Sequence, residues 1–549
     1  MKHVTLLFLL VVGFQQTVQA QNYKDLMEDT SVNFYDVVKE AEAYFKTIDT
    51  KKKGTGYKPF LRWKNNNEYK FFPSGRRDNL DPYLAKNALE AFRANPSNQL
   101  SSQSRLMTSS GWRELGPISV DNITGNYGAA IGRVEDVYVD PTNKEKLYLG
   151  SRSGGLWRST DEGATWVGGS TDFLPGCGVN TITADKDNSD ILFMNLQNSN
   201  NENSYGIYKS TDAGATVTES TFNPERLGEG GLGDNLRVYR VIYHPSTDGL
   251  LFIGTNRGLY RSDNDLATYT KVAEGNYFQI IFHPTNNQII YTQNRASNTT
   301  KNYLSKSTDG GLNFEQTTEI TGNNSNDAKL AVTPAEPNSV FWGSSAGLFK
   351  STNLGESFSH INDNLGTGVG GFSVHTTNAS NILLGYVDLY NSTDGGASFT
   401  QRTRWSLGDA RFHPTQNDFQ FNYENSTAFV HADTNLSSCV NGIFYAMTDG
   451  MLAKSEDGGE KWTNLMRSGV GIRENYKLGV SQSNNGVSVS GSQDNGSSIY
   501  KDTGWVEFYG ADGMEGIVHP LNDDWIISSL QYGGRRRTKN GGSSQDSAT

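Results

Sequence analysis

Four short stretches carry carboxylates that break the pattern of their surroundings. RVED holds Arg133, Glu135 and Asp136, FVHAD holds His431 and Asp433, GSQDNGS holds Gln493 and Asp494, and YGADGMEG holds Asp512 and Glu515. Two carboxyl groups facing each other across a cleft can cut a glycosidic bond. One protonates the leaving oxygen and the other takes a proton from water, and inversion needs them roughly 6.5–9.5 Å apart. Asp136, with Asp494 or Asp512 from the late stretches, is the candidate for such a pair. Arg133, Glu135, His431, Asp433, Gln493 and Glu515 are candidates for ligand binding. The plainer alternative for each acid is a loop cap or a place in a water-filled channel.

Another set of aspartates repeats. STDEGATW at 159 returns as STDAGATV at 210, STDGGLNF at 307, STNLGESF at 351, STDGGASF at 392 and SEDGGEKW at 455. A group repeated in copy after copy is structural rather than catalytic. The Ser hydroxyl and the carboxylates of Asp161, Asp212, Asp309, Asp394 and Asp457 can accept backbone N–H groups exposed in a tight turn. The glycine that follows takes a positive φ cheaply, and the closing Trp or Phe can pack inward.

The elements around these boxes share one order. VEDVYVDPTNKEKLYLGSRSGGLWRSTDEGATW reads as an alternating strand, a turn, a strand, a Gly-Gly turn, a strand and the box. The first serines fall at 159, 210, 262, 307, 351, 392 and 455, with degenerate copies near 500 and 537. A period in the forties with four short strands per unit predicts an all-β fold, a large β-propeller of about 8–10 four-stranded blades over 111–549. Residues 21–110 form an N-terminal extension, in which NFYDVVKEAEAYF places its apolar residues on one helical stripe.

Lys2 and His3 before the apolar run 4–12, with Val18-Gln19-Ala20 after it, read as a cleavable signal peptide over 1–20. A secreted protein is expected. No later run approaches the ~18 apolar residues of a membrane span, so no membrane insertion is expected of the mature chain. Net charge is −11 and the basic runs, such as Arg535–Arg537, are no longer than three residues, which excludes a nucleic-acid footprint. Two cysteines, Cys177 and Cys439, are compatible with one bridge. With neither CxxC nor a Cys/His cluster, no metal and no cofactor are expected. The oligomeric expectation is a monomer.

The boxes, the DPTN turn, GGLWRSTDEGATW and the run LGVSQSNNGVSVSGSQDNGSSIY resemble bacterial secreted proteins related to the sortilin (VPS10) propeller, whose boxes are called Asp-box or BNR repeats. They are also similar, more distantly, to two-propeller xyloglucanases. The first resemblance implies a binding protein for extracellular peptide or polysaccharide ligands. The second implies an inverting endo-glucanase with two catalytic aspartates, Asp136 and Asp494 or Asp512 here. Sialidases also carry such boxes, but they need an Arg-Ile-Pro motif that is absent. The chain ends at GGSSQDSAT directly after a degenerate box, so ring closure calls for a strand near Trp112 or for further chain.

Overall fold

A computed structural model describes residues 23–78, 87, 91, 115–118, 122–123, 130–172, 174, 176–223, 235–295, 301–320, 328–365, 368–405, 428–466, 469–501 and 504–548. Residues 1–20, expected to be a signal peptide, Trp112 and much of the segment before Phe429 lie outside them. The chain divides into two compact units, 1–100 and 101–549.

In the first unit, helix α1 (Phe34–Phe45) buries the expected stripe of Phe34, Val37, Val38, Ala41 and Phe45. Asn33 caps it by accepting the N–H of Tyr35 at 3.0 Å. Helix α2 (Tyr57–Phe71) packs Phe60 and Phe71 into the same aromatic cluster. No helix among the described residues is long and apolar enough to cross a membrane.

The described residues of the second unit form nine antiparallel sheets, each with four strands in chain order, as the repeat predicts. We number these blades 1 to 9; they begin at residues 136, 178, 238, 276, 329, 371, 434, 475 and 513. Asn122–Ile123 adds a fifth strand to blade 8, parallel to its outermost strand at Val506–Glu507. Cys177 and Cys439 are both free.

The boxes form the turn between the third and fourth strands. In blade 1, Asp161 accepts the Ser159 hydroxyl at 2.8 Å, the Thr165 N–H at 2.8 Å and the Thr165 hydroxyl at 2.5 Å, while Gly163 donates to Ser159 Oγ at 2.9 Å. Gly163 sits at φ 86°, where a side chain would be strained. The bonds from the Ser hydroxyl and from the backbone N–H four residues after the Asp recur at Asp212, Asp309, Asp394 and Asp457.

Contacts divide the nine blades. Inner strands lie side by side from blade 1 through blade 7, and blade 7 then packs on blade 1. Tyr445, Met447, Leu452 and Leu465 share a core with Val137, Leu149, Trp157 and Trp166. Trp166 Nε1 donates to Leu465 O at 2.9 Å, and Val134 N to Thr448 O at 3.0 Å. Blades 1 to 7 are thus a closed ring. Blade 8 stands outside it and packs on blade 9 through Val487, Val489, Val518 and Ile526.

Within the ring, the free edge of one inner strand is satisfied by a side chain of the blade before it. Asp136 accepts the Ile182 N–H at 2.9 Å, Thr181 the Val241 N–H at 3.2 Å, Thr183 the Tyr243 N–H at 3.0 Å and Gln279 the Leu330 N–H at 2.7 Å. These bonds remove the exposed-edge liability of short sheets.

Candidate functional site

In a four-stranded meander the turns after strands 1 and 3 fall at one end of the blade, and those after strands 2 and 4 at the other. The box turns follow strand 3. All the acids that gather near blade 8 sit on the opposite set of connections. Glu135 precedes the first strand of blade 1, and Asp433 and Asp449 precede and interrupt blade 7. Glu474, Asp494 and Asp512 lie before, within and after blade 8.

Blade 8 reaches the ring through these connections. Asn495 Nδ2 donates to Asp449 O at 3.1 Å, and Ser153 of blade 1 donates to Glu474 Oε1 at 2.9 Å. The approach needs a small residue, because a Cβ on Gly154 would lie 2.4 Å from Ile472 Cγ2. Beneath the junction, Arg473 and Glu507 form a wholly buried ion pair at 3.1 Å. Arg473 also donates to Ser498 Oγ and to Ala130 O, on the lead-in to blade 1.

Gln493 Nε2 donates to Asp494 Oδ2 at 3.0 Å and to Asp512 Oδ1 at 3.2 Å. Burial, and then the charge of Asp494, hold the Asp512 carboxyl above the ordinary carboxylate range. Asp433 is raised in the same way, by burial first, with Asp494 adding to it and His431 and Arg133 opposing. Asp433 and Asp494 are also in left-handed backbone, at φ 61° and 53°. That conformation costs of order 1 kcal/mol outside glycine, and such outliers gather at functional sites.

On the ring side, Arg133 pairs with Glu135 at 2.7 Å and with Asp449 at 3.4 Å. Burial keeps Glu135 above its ordinary range despite that pair. His431 is buried, its Nδ1 3.1 Å from Ala432 O. Half-exposed Tyr476 feels the charges of Asp512, Asp494 and Glu474. Among the described residues no group of His, Cys, Asp and Glu is arranged to hold a metal.

The expected residues divide accordingly. Arg133, Glu135, His431, Asp433, Gln493, Asp494 and Asp512 meet at the junction. Asp136 does not join them. Its carboxylate is 1% exposed, accepts the Ile182 N–H and pairs with Arg240 Nη1 at 3.0 Å, so its place is between blades. Glu515 is exposed on the inner strand of blade 9, its main chain bonded to Ser529. Asp449, Glu474 and Tyr476 were not singled out from the sequence. Asp449 had a readable signal, since AMTDGM and GSQDNG occupy the same hairpin of adjacent repeats.

Fold and junction together define a propeller protein of four-stranded blades. No protein-family model matches the chain. A xyloglucanase of Hypocrea jecorina (strain QM6a) is 26% identical over 196 residues, 29% of this chain and 22% of that protein. A xyloglucanase of Paenibacillus sp is 34% identical over 105 residues, 15% of this chain and 10% of its own length. Each match therefore spans under a quarter of the relative. Among solved structures, the GH74 enzyme of Niastella koreensis superposes with a TM-score of 0.55 at 18% identity, covering 79% of this chain and 68% of that one. At that identity the likeness shows the propeller fold.

Proposed function

We propose that this chain is a glycoside hydrolase of β-glucan-type polysaccharides, with xyloglucan as its first candidate substrate, acting outside the cytoplasm. The observation that carries the reading is that Asp433 of the ring lies within electrostatic reach of Asp494 of blade 8, whose N–H is bonded to Asp512, in a chain whose curated relatives are xyloglucanases. Of the two expectations from sequence, those relatives favour the hydrolase over the sortilin-like binder.

Asp433, whose carboxyl is raised above the ordinary range by burial and by its neighbour's charge, is the general acid that protonates the glycosidic oxygen. Asp494, on the opposing blade, is the base that takes a proton from water. Asp512 and Gln493 fix the Asp494 hairpin. Tyr476 offers an aromatic face for a sugar ring. Inversion is the expected stereochemistry.

The test is reducing-end release from xyloglucan, mixed-linkage glucan and cellulose by the purified chain, beside Asp433→Asn and Asp494→Asn. Release lost in both variants supports the pair. Release unaffected by both removes these residues from the role, and no release from any polymer removes the hydrolase.

A further inference from the structure

The inner strands of blades 2 to 7, with Arg133 and Glu135 on the lead-in to blade 1, line an axial cavity of about 470 Å³, within the roughly 300–1,000 Å³ typical of small-molecule sites. Four of these strands break register near their start, at Val179/Thr181, Val238/Arg240, Tyr277/Gln279 and Thr434/Leu436. The residues between are Asn180, Tyr239, Phe278 and Asn435, and every one lines the cavity. A bulge turns a side chain out of strict alternation, and bulges of this kind mark places where a side chain is aimed at a site. Four ring blades use the device at one repeat position, and it brings two aromatic rings to the axis beside two amides that are bonded within the protein, Asn180 to Val238 O and Asn195, and Asn435 to Asp449.

The rings of Tyr239 and Phe278 are neighbours, with centroids 4.8 Å apart and planes tilted by 47°. The Arg295 guanidinium lies 4.9 Å from the Phe278 centroid. Arg237 pairs with Glu202 at 3.1 Å, and Gln197 and Gln279 complete this side of the wall. Planar groups that both donate and accept, set around an aromatic platform, suit vicinal hydroxyls above the C–H face of a pyranose. A peptide would enter a propeller channel most readily by pairing with strand edges. Here Asp136, Thr181, Thr183 and Gln279 already occupy edge N–H groups.

We propose that the axial cavity of the ring, which shares Arg133 and Glu135 with the acid cluster at its rim, is a carbohydrate-binding site, taking one end or one branch of a neutral oligosaccharide on the Tyr239–Phe278 platform. It does not depend on the junction being hydrolytic.

The experiment is calorimetric titration of the full chain, carrying Asp494→Asn to prevent turnover, with cellohexaose and with a xyloglucan nonasaccharide. Tyr239→Ala should weaken binding of at least one probe by tenfold or more, while Tyr239→Phe retains it. Arg237→Met, at a half-exposed rim residue, should weaken it several-fold and serves if Tyr239→Ala does not fold. Affinity unchanged in Tyr239→Ala and Arg237→Met overturns the proposal, as does the absence of binding by both sugars. Tyr239-dependent binding of an extended peptide with no sugar binding also overturns it.

Discussion

The backbone N–H of Asp494 donates to Oδ1 of Asp512 at 2.8 Å, linking the hairpin between the second and third strands of blade 8 to the connection that leaves it. Two acids 18 residues apart in the chain are thereby one unit. The negative charge of Asp494 reaches Asp512 within its own blade and Asp433 across the junction.

A pH profile follows. Asp433 and Asp512 hold their protons above the ordinary carboxylate range, for burial first and the Asp494 charge second. A rate that needs a protonated Asp433 is complete below its raised pKa and falls as pH rises through it. The alkaline limb of kcat/KM on xyloglucan should therefore lie above the usual carboxylate range. Asp433→Asn should lower the rate by roughly 10²–10⁴ and remove that limb. A limb retained in the variant would assign it to another group.

The fold was legible because its signals recur. Each box pairs a Ser, an Asp and a Gly at fixed spacing, and alternation between boxes supplies the strands. The division into seven and two was not legible, because Trp166 reads like every other box aromatic until it is seen donating to Leu465. The site was half legible. Asp433, Asp494 and Asp512 stood out as pattern breakers, but nothing local says that connections some 300 residues from Glu135 meet it. Asp136 shows the ambiguity of a strand. Alternation puts Glu135 and Asp136 on opposite sides of the chain without saying which faces a site, and the side Asp136 takes is against the next blade's edge.

Removing one box carboxylate should cost stability without touching the site. Asp161 accepts from Ser159 and Thr165 at the end of blade 1 opposite the junction. Asp161→Ala should lower stability by about 1–2 kcal/mol in thermal unfolding, with turnover and sugar affinity at wild-type values. The side-chain bonds hold Asp161 below its ordinary pKa, so this contribution is present above that value and is lost as pH falls through the depressed one.

Ring closure rests on Trp166, 7% exposed, with its indole N–H on blade 7. Trp166→Ala should cost about 3–5 kcal/mol and open the blade 1–blade 7 seam. Hydrogen exchange should show lost protection at Trp157, Tyr445 and Leu465, which share that core. Val167→Ala, at an exposed neighbour, is the control. Equal effects of the two substitutions would deny Trp166 the role.

The Arg473–Glu507 pair predicts how blade 8 answers to pH. Glu507 is wholly buried, and burial raises its carboxyl to about 7 from an ordinary 4.5, with Arg473 and the Ser498 hydroxyl opposing the rise. The folded state therefore binds the proton more tightly than the unfolded chain. Below pH 4.5 both states are protonated and the group is neutral in the balance. Between 4.5 and 7 the unfolded chain ionises first, so stability falls as pH rises, by up to about 3 kcal/mol, and it is level above. Glu507→Gln removes that slope and leaves Arg473 a hydrogen-bonding partner of the same shape. Glu507→Ala instead strands a buried guanidinium, which costs about 3–5 kcal/mol. Denaturant unfolding at pH 5 and pH 8 separates the cases: the wild type should lose stability between the two and Glu507→Gln should not. An equal slope in both would show that Glu507 is ionised throughout, held by Arg473 more strongly than its burial opposes.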